Sequence, residues 1–300
     1  MTPIEARVAG SFGLDVILAA AGRAGGPDPT FRRIDGVWWR GARTPAGPVA
    51  LALEREADGV RARAWGPGAE LELSRVGALL GCDDDPTGFS CEHPALAEGM
   101  RGKPELRFGR TGEVVDTLVP TILGQRVTGK EAFRSYRDLV RRYGDPAPGP
   151  AVDLWLPPDP ERLANEPYYA LHPLGVDRGR ATTVIEVCRR RGRLDALALR
   201  PSAEAAAALA TLPRVGPWTI ANVLVSSHGD PDAVAVGDAH LPNTVAYVLA
   251  GEPRGTDARM LELLAPWAGH RARVVRLVAA TGLSAPKWGP RGDAVDLRRL

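Results

Sequence analysis

The stretch from Leu212 to His240 reads LPRVGPWTIANVLVSSHGDPDAVAVGDAH. It is punctuated by Pro213, Gly216 and Pro217. Ala205–Thr211 upstream has helix-forming composition, Leu212–Gly216 is a tight turn, and Pro217 opens a second helix, where the missing proline amide costs no hydrogen bond. The pattern predicts two helices joined by a hairpin. The backbone amides from Gly216 to Thr219 would then point out of a helix N-terminus, which binds anions such as phosphate without any charged side chain. A plain connection between two packed helices fits the turn equally well. Asp238 follows 22 residues after Gly216, behind the apolar strip AVAVG. Its carboxylate either caps the next helix or does chemistry.

On either side of this stretch the chain divides by pattern. From about Val114 onward it is helical: DTLVPTILGQRV and KEAFRSYRDLVRRYG carry apolar residues at helical spacing, and Gly144 is a suitable stop. A proline-rich connector, GDPAPGPAVDLWLPPDP (144–160), comes next. ERLANEPYYALHPLG, RATTVIEVCRRRG, SAEAAAALATL, LPNTVAYVLAG, ARMLELLAPWAG and HRARVVRLVAATG continue as short helices. The first hundred residues differ. GVWWRG (36–41), PVALALE (48–54) and GVRARAW (59–65) are short strands between Gly, Pro and Asp turns, with helices over 14–21 and 73–80 and a loop over 83–88. The fold class is therefore α+β: a small N-terminal antiparallel-sheet domain over residues 1–110, followed by a larger all-helical domain over 111–300.

Composition excludes several classes. With 44% hydrophobic and 25% charged residues the chain is that of a soluble globular protein, and a net charge of +2 neither favours nor excludes a polyanionic partner. No apolar run is long enough to span a bilayer, so no membrane partner is expected. FGLDVILAAAG lacks a preceding basic region and is not a signal peptide, which places the protein in the cytoplasm. Cys82, Cys91 and Cys188 are an odd, widely spaced set, which fits a reducing compartment. Lysine occurs only at Lys103, Lys130 and Lys287, so amine nucleophiles are scarce. Residues 271–299 are rich in arginine, as either a phosphate-contacting surface or a solvated basic face.

LPRVGPWTIANV followed by VGDAHLPNTV resembles the helix-hairpin-helix DNA glycosylase superfamily, and ILGQRVTGKEAF (122–133) is similar to a second element of it, which enters DNA near the flipped base. The domain order looks most like 3-methyladenine DNA glycosylase II, whose N-terminal α+β domain resembles half of a TATA-binding protein. The resemblance implies a bacterial, nucleoid-associated, monomeric repair enzyme acting on double-stranded DNA that holds a damaged base. It implies Asp238 as the catalytic carboxylate, stabilising positive charge on the sugar as the base departs. Trp218, Asn222 and Arg276 fall where the family lines its base pocket, and Trp218 would stack on an electron-poor base. Gln125, Arg126, Arg214, Val215, Gly216 and Thr219 fall on the DNA-binding elements. The Leu212 and Val215 carbonyls would hold a monovalent sodium or potassium ion, with no other cofactor expected.

Departures from the pattern carry information. Family members that also cut the strand place a lysine where Trp218 stands, so the expected activity is hydrolytic, without a Schiff-base step. The first hairpin glycine is replaced by Arg214, so that residue either avoids a left-handed conformation or accepts strain. Asn222 and Arg276 replace aromatic residues of the alkylbase-specific branch, and Arg126 replaces an apolar wedge. The expected substrates are alkylated purines, 3-methyladenine and 7-methylguanine. The alternatives are another damaged base, oxidised guanine among them, or a hairpin that grips DNA with no chemistry at all.

Overall fold

The computed structural model describes residues 2–21, 28–101 and 106–286. Five strands, β1 (Ile4–Ala9), β2 (Phe31–Ile34), β3 (Val37–Thr44), β4 (Gly47–Arg55) and β5 (Gly59–Trp65), form one antiparallel sheet in the order β1-β5-β4-β3-β2. Among the described residues, fourteen α-helices accompany it, most of them after Glu113. The sheet followed by a helical half is the expected α+β class. The three expected strands are β3, β4 and β5, the last with its predicted bounds. β1 and β2 were not anticipated; both are edge strands, and FRRI is too short and too charged to show an alternating pattern. Asp35 and Gly36, both at positive φ, make the two-residue turn between β2 and β3. The helix expected over 73–80 is instead two short pieces, Ala69–Ser74 and Val76–Leu79.

Strand β4 explains how the two halves join. Its central residues are buried on both faces. Val49, Leu51 and Leu53 face a core that includes Ile17, Leu18, Val76 and Leu80. Ala50 and Ala52 face the other way, onto Trp65, Trp39 and Leu154. That second cover comes from the proline-rich connector, whose Trp155 amide donates to Pro29 O at 2.9 Å. Gly41 permits the approach: a Cβ there would fall 2.2 Å from Trp155 O.

The helical half has two cores. The larger surrounds the Val114–Leu123 helix, whose Val114, Val115, Leu118, Val119, Ile122 and Leu123 are all buried. That helix packs against the Arg178–Arg189 and Pro217–Ser227 helices. The smaller core joins Val245, Met260, Leu264, Val274 and Leu277 to Leu96 of the Pro94–Met100 helix. This early helix therefore packs with the last helices of the chain. Gly99 lets it come close, since a Cβ there would lie 2.6 Å from Leu277 O.

The loop over 83–88 holds one of the most buried ion pairs in the molecule. Asp84 meets Arg273 Nη2 at 2.6 Å and Nη1 at 2.9 Å, with both side chains 2% exposed. The described part of the arginine-rich stretch is thus engaged internally: Arg271 pairs with Asp232, and Arg276 lies over the Phe108 ring at 3.5 Å. Lys287, Arg291, Arg298 and Arg299 lie outside the described residues.

Candidate active site

The hairpin forms as expected. The Ser202–Ala210 helix ends, the turn closes with the Val215 amide donating to Leu212 O at 3.2 Å, and the next helix runs Pro217–Ser227 with Gly216 as its N-cap. Arg214 resolves the alternative posed by its sequence: its φ is +64°, so it accepts the left-handed conformation. Its side chain lies across the start of the neighbouring helix, where a Cβ on Gly179 would fall 1.7 Å from Arg214 Nη1. Arg214→Gly should relieve about 1 kcal/mol of backbone strain and lose a similar amount to the freedom of the unfolded chain. Urea unfolding should show a net change within about 1 kcal/mol. A loss of several kcal/mol would mean that the guanidinium packing, and not the backbone, dominates at this position.

The loop after the Val114–Leu123 helix is tied to the hairpin. Gln125 Nε2 donates to Arg214 O at 3.0 Å and to Thr219 Oγ1 at 2.9 Å. The Gln125 amide is thereby engaged within the protein, while its neighbour Arg126 is exposed and also left-handed, with φ +57°. Buried Arg180 fixes the helix end behind them by donating to Leu123 O at 2.8 Å and Gly175 O at 3.2 Å. Val215 and Thr219 are buried and Gly216 is exposed at the turn. The Leu212 carbonyl, one of the two expected to face a cation, accepts from the Val215 amide.

Asp238 and Trp218 meet. Trp218 Nε1 donates to Asp238 Oδ2 at 2.9 Å, and the amides of His240 and Leu241 donate to Oδ1 at 2.8 and 2.9 Å. One oxygen thus accepts from two backbone amides at the start of the Leu241–Ala250 helix, as a capping role requires, and the other is held by the indole. Burial works to raise the Asp238 pKa. The two amides and the indole N–H outweigh it, so the carboxyl is held below the usual aspartate range and is ionised at neutral pH. Gly237, at φ +89°, makes the bend that delivers Asp238, and its amide is anchored on Asp257 Oδ1 at 3.1 Å. The indole packs beside Gly124, whose Cβ position lies 3.5 Å from Trp218 Cη2.

One turn beyond Trp218, Asn222 donates to the Trp218 carbonyl at 2.7 Å and lines a cavity of about 200 Å³. This cavity lies between the sheet half and the helical half, walled by Asp28, Thr30 and Arg40 on one side and by Glu113, Asp116 and Thr121 on the other. Arg276 is not among its lining residues; its guanidinium stacks on Phe108 and reaches only Arg107 O, at 3.4 Å. Burial, with Arg273 nearby, pushes its pKa down to about 10. The structure thus joins Trp218 to Asp238, sets Asn222 on the cavity wall, and sets Arg276 on the Phe108 ring. The acidic wall escaped sequence reasoning, because Asp28 lies far from Glu113 and Asp116 along the chain.

No family model matches the chain, and no curated protein matches it in sequence. Solved structures do match it. A 3-methyladenine DNA glycosylase from Archaeoglobus fulgidus superposes with a TM-score of 0.73 at 17% identity, covering 94% of this chain and 99% of that one. An 8-oxoguanine glycosylase/lyase from Clostridium acetobutylicum gives 0.70 at 13% identity, covering 94% and 99%. A 3-methyladenine DNA glycosylase from Schizosaccharomyces pombe, complexed with abasic DNA, gives 0.52 at 14% identity over 67% of this chain and 96% of that one. The chain therefore has the fold of the helix-hairpin-helix DNA glycosylases. At these identities the likeness is one of fold. Among the described residues, no helix is long and apolar enough to cross a membrane.

Proposed function

We propose that the protein is a monofunctional DNA glycosylase that extrudes an alkylated purine, 3-methyladenine or 7-methylguanine, from duplex DNA and hydrolyses its N-glycosidic bond. The observation that carries this reading is the Asp238 carboxylate, held ionised by the Trp218 indole from the first turn of the second hairpin helix. As the base leaves, positive charge develops on the deoxyribose ring. A fixed carboxylate stabilises that charge and orients the attacking water, as carboxylates do in sugar hydrolysis. The amides at the Gly216–Thr219 helix start would take a DNA phosphate, with a monovalent cation on the Leu212 and Val215 carbonyls assisting. Arg126 and Arg214, both exposed, would contact the backbone or the gap left by the base. Trp218 stands where a Schiff-base lysine would be needed, which argues against strand cleavage.

The test is incubation with methylated duplex DNA, expected to release free 3-methyladenine and 7-methylguanine with no borohydride-trapped protein–DNA adduct. Release of neither base, with duplex binding intact, would leave the hairpin as a grip without chemistry. A trapped adduct would overturn the monofunctional assignment. Trp218→Phe keeps a ring and deletes the N–H on Asp238 Oδ2. Its kcat/KM should fall by about tenfold, the scale of one hydrogen bond to a charged group. The acid limb of its pH–rate profile should move upward, because the bond that favoured the ionised carboxylate is gone. An unshifted limb would show that the indole does not hold the charge.

A further inference from the structure

Asp238 stands on a bend and not within a helix. Upstream, Val234 and Val236 are packed, partly buried, against the smaller helical core. The chain then turns through Gly237, and the Asp238 amide reaches Ala235 O at 3.3 Å, a long bond. Downstream, the Asp238 carboxylate accepts from the amides of His240 and Leu241. Gly237 itself is exposed and has no side chain, so packing does not hold this turn. A glycine samples both signs of φ almost equally, and a bend made by one needs an external tie to stay fixed.

The tie comes from Asp257, the first residue of the Asp257–Leu264 helix. A carboxylate in a first turn ordinarily serves its own helix, as a cap or against the dipole. Here Thr256 already caps that helix, its hydroxyl accepting from the Arg259 amide at 3.2 Å. Asp257 Oδ1 instead accepts from the Gly237 amide, 20 residues upstream, at 3.1 Å. The start of this helix is in turn fixed to the helix that follows Asp238. The Gly255 amide donates to Asn243 Oδ1 at 3.0 Å, and a Cβ on Gly255 would lie 2.5 Å from Pro242 O. Arg259 closes the segment between by binding Glu252 at 2.6 Å. Gly237 and the Asp238 carboxylate are therefore attached at two points to one frame.

We propose that Asp257 is a positioning residue for Asp238: by holding the Gly237 amide it fixes the bend, and with it the orientation in which the Asp238 carboxylate meets the Trp218 indole. The inference rests on the glycosylase reading and adds a residue to its machinery. Asp257 acts through the backbone and not on the substrate. Its bond lies at the surface, where a hydrogen bond adds little to stability. Its effect falls on orientation, where a displacement of about 1 Å is enough to cost a large part of a rate. The role requires an acceptor at Asp257 and not a charge, which separates it from an ordinary dipole interaction.

Two variants of the full chain test it. Asp257→Ala removes the acceptor, whereas Asp257→Asn keeps an oxygen for the Gly237 amide and removes the charge. Single-turnover base release from methylated duplex is measured beside affinity for abasic duplex. NMR hydrogen exchange is followed at the His240 and Leu241 amides and the Trp218 indole N–H, the three donors to Asp238. In the alanine variant release should slow by about tenfold at unchanged affinity, and all three donors should exchange faster. The asparagine variant should restore both readouts, and both variants should keep the urea midpoint of the wild type. Faster exchange confined to Gly237, undiminished release in the alanine variant, or an asparagine variant as impaired as the alanine one overturns the proposal. Expected exchange in a protein whose wild type releases no base would refute the glycosylase reading alone. Base release by the wild type with exchange unchanged in the alanine variant would refute the positioning role alone.

Discussion

Asp238→Asn should reduce base release by at least about 10²–10³-fold while leaving the grip on duplex DNA in place. The variant is nearly isosteric, yet its surroundings cannot accommodate an amide. One Asp238 oxygen accepts from two backbone amides and the other from the Trp218 indole. An asparagine must turn its NH₂ toward one of these donors, so either the helix cap or the indole bond is lost. The variant therefore loses the negative charge that the proposed mechanism sets against the sugar, and also its alignment. A modest stability loss of about 1–2 kcal/mol accompanies it, as for other cap deletions. The DNA contacts assigned to the hairpin turn are made by other atoms, so affinity for duplex containing an abasic site should be retained. Full activity in this variant would remove Asp238 from the chemistry and return it to the role of a cap.

The second large effect concerns Arg273. Its guanidinium is 2% exposed, makes two bonds to an equally buried Asp84, and lies over the Phe108 ring at 5.0 Å. Arg273→Met keeps the length of the side chain and leaves Asp84 as a buried charge with its main partner gone. The expected cost is about 3–5 kcal/mol, read as a fall in the urea midpoint at unchanged slope. Asp84→Asn should cost less, because an amide can still accept from the arginine. The double variant Asp84→Leu with Arg273→Met should recover part of the loss, since replacing a buried ion pair by apolar side chains is often close to neutral. Additive losses in the double variant would show that each side chain matters through its other contacts and not through the pair.

Much of the site could be seen in the sequence because its signals are local. Pro217 after Gly216 fixed the start of the second hairpin helix, and the family resemblance drew attention to Asp238 as the candidate carboxylate. What stayed hidden depends on pairing between distant segments. β2 is a short edge strand whose partner alone reveals it. Gln125 followed the pattern of a DNA-facing residue, but its amide is engaged on Arg214 and Thr219, a contact that spacing cannot encode. The ring of Phe108 under the Arg276 guanidinium comes from far upstream, a contact that position along the chain cannot show. The choice at Arg214 between strain and avoidance was open in the sequence and required a backbone angle to decide.

The cover on β4 bears on how the chain is made. Ala50 and Ala52 wait for Leu154, and Leu96 waits for residues 245–278. On the ribosome the sheet thus emerges about a hundred residues before its second face can be closed, and the Pro94–Met100 helix emerges earlier still relative to its partners. The N-terminal half is committed to a late, long-range closure, and a nascent chain stalled before Trp155 would expose an apolar sheet face to whatever chaperone reaches it first.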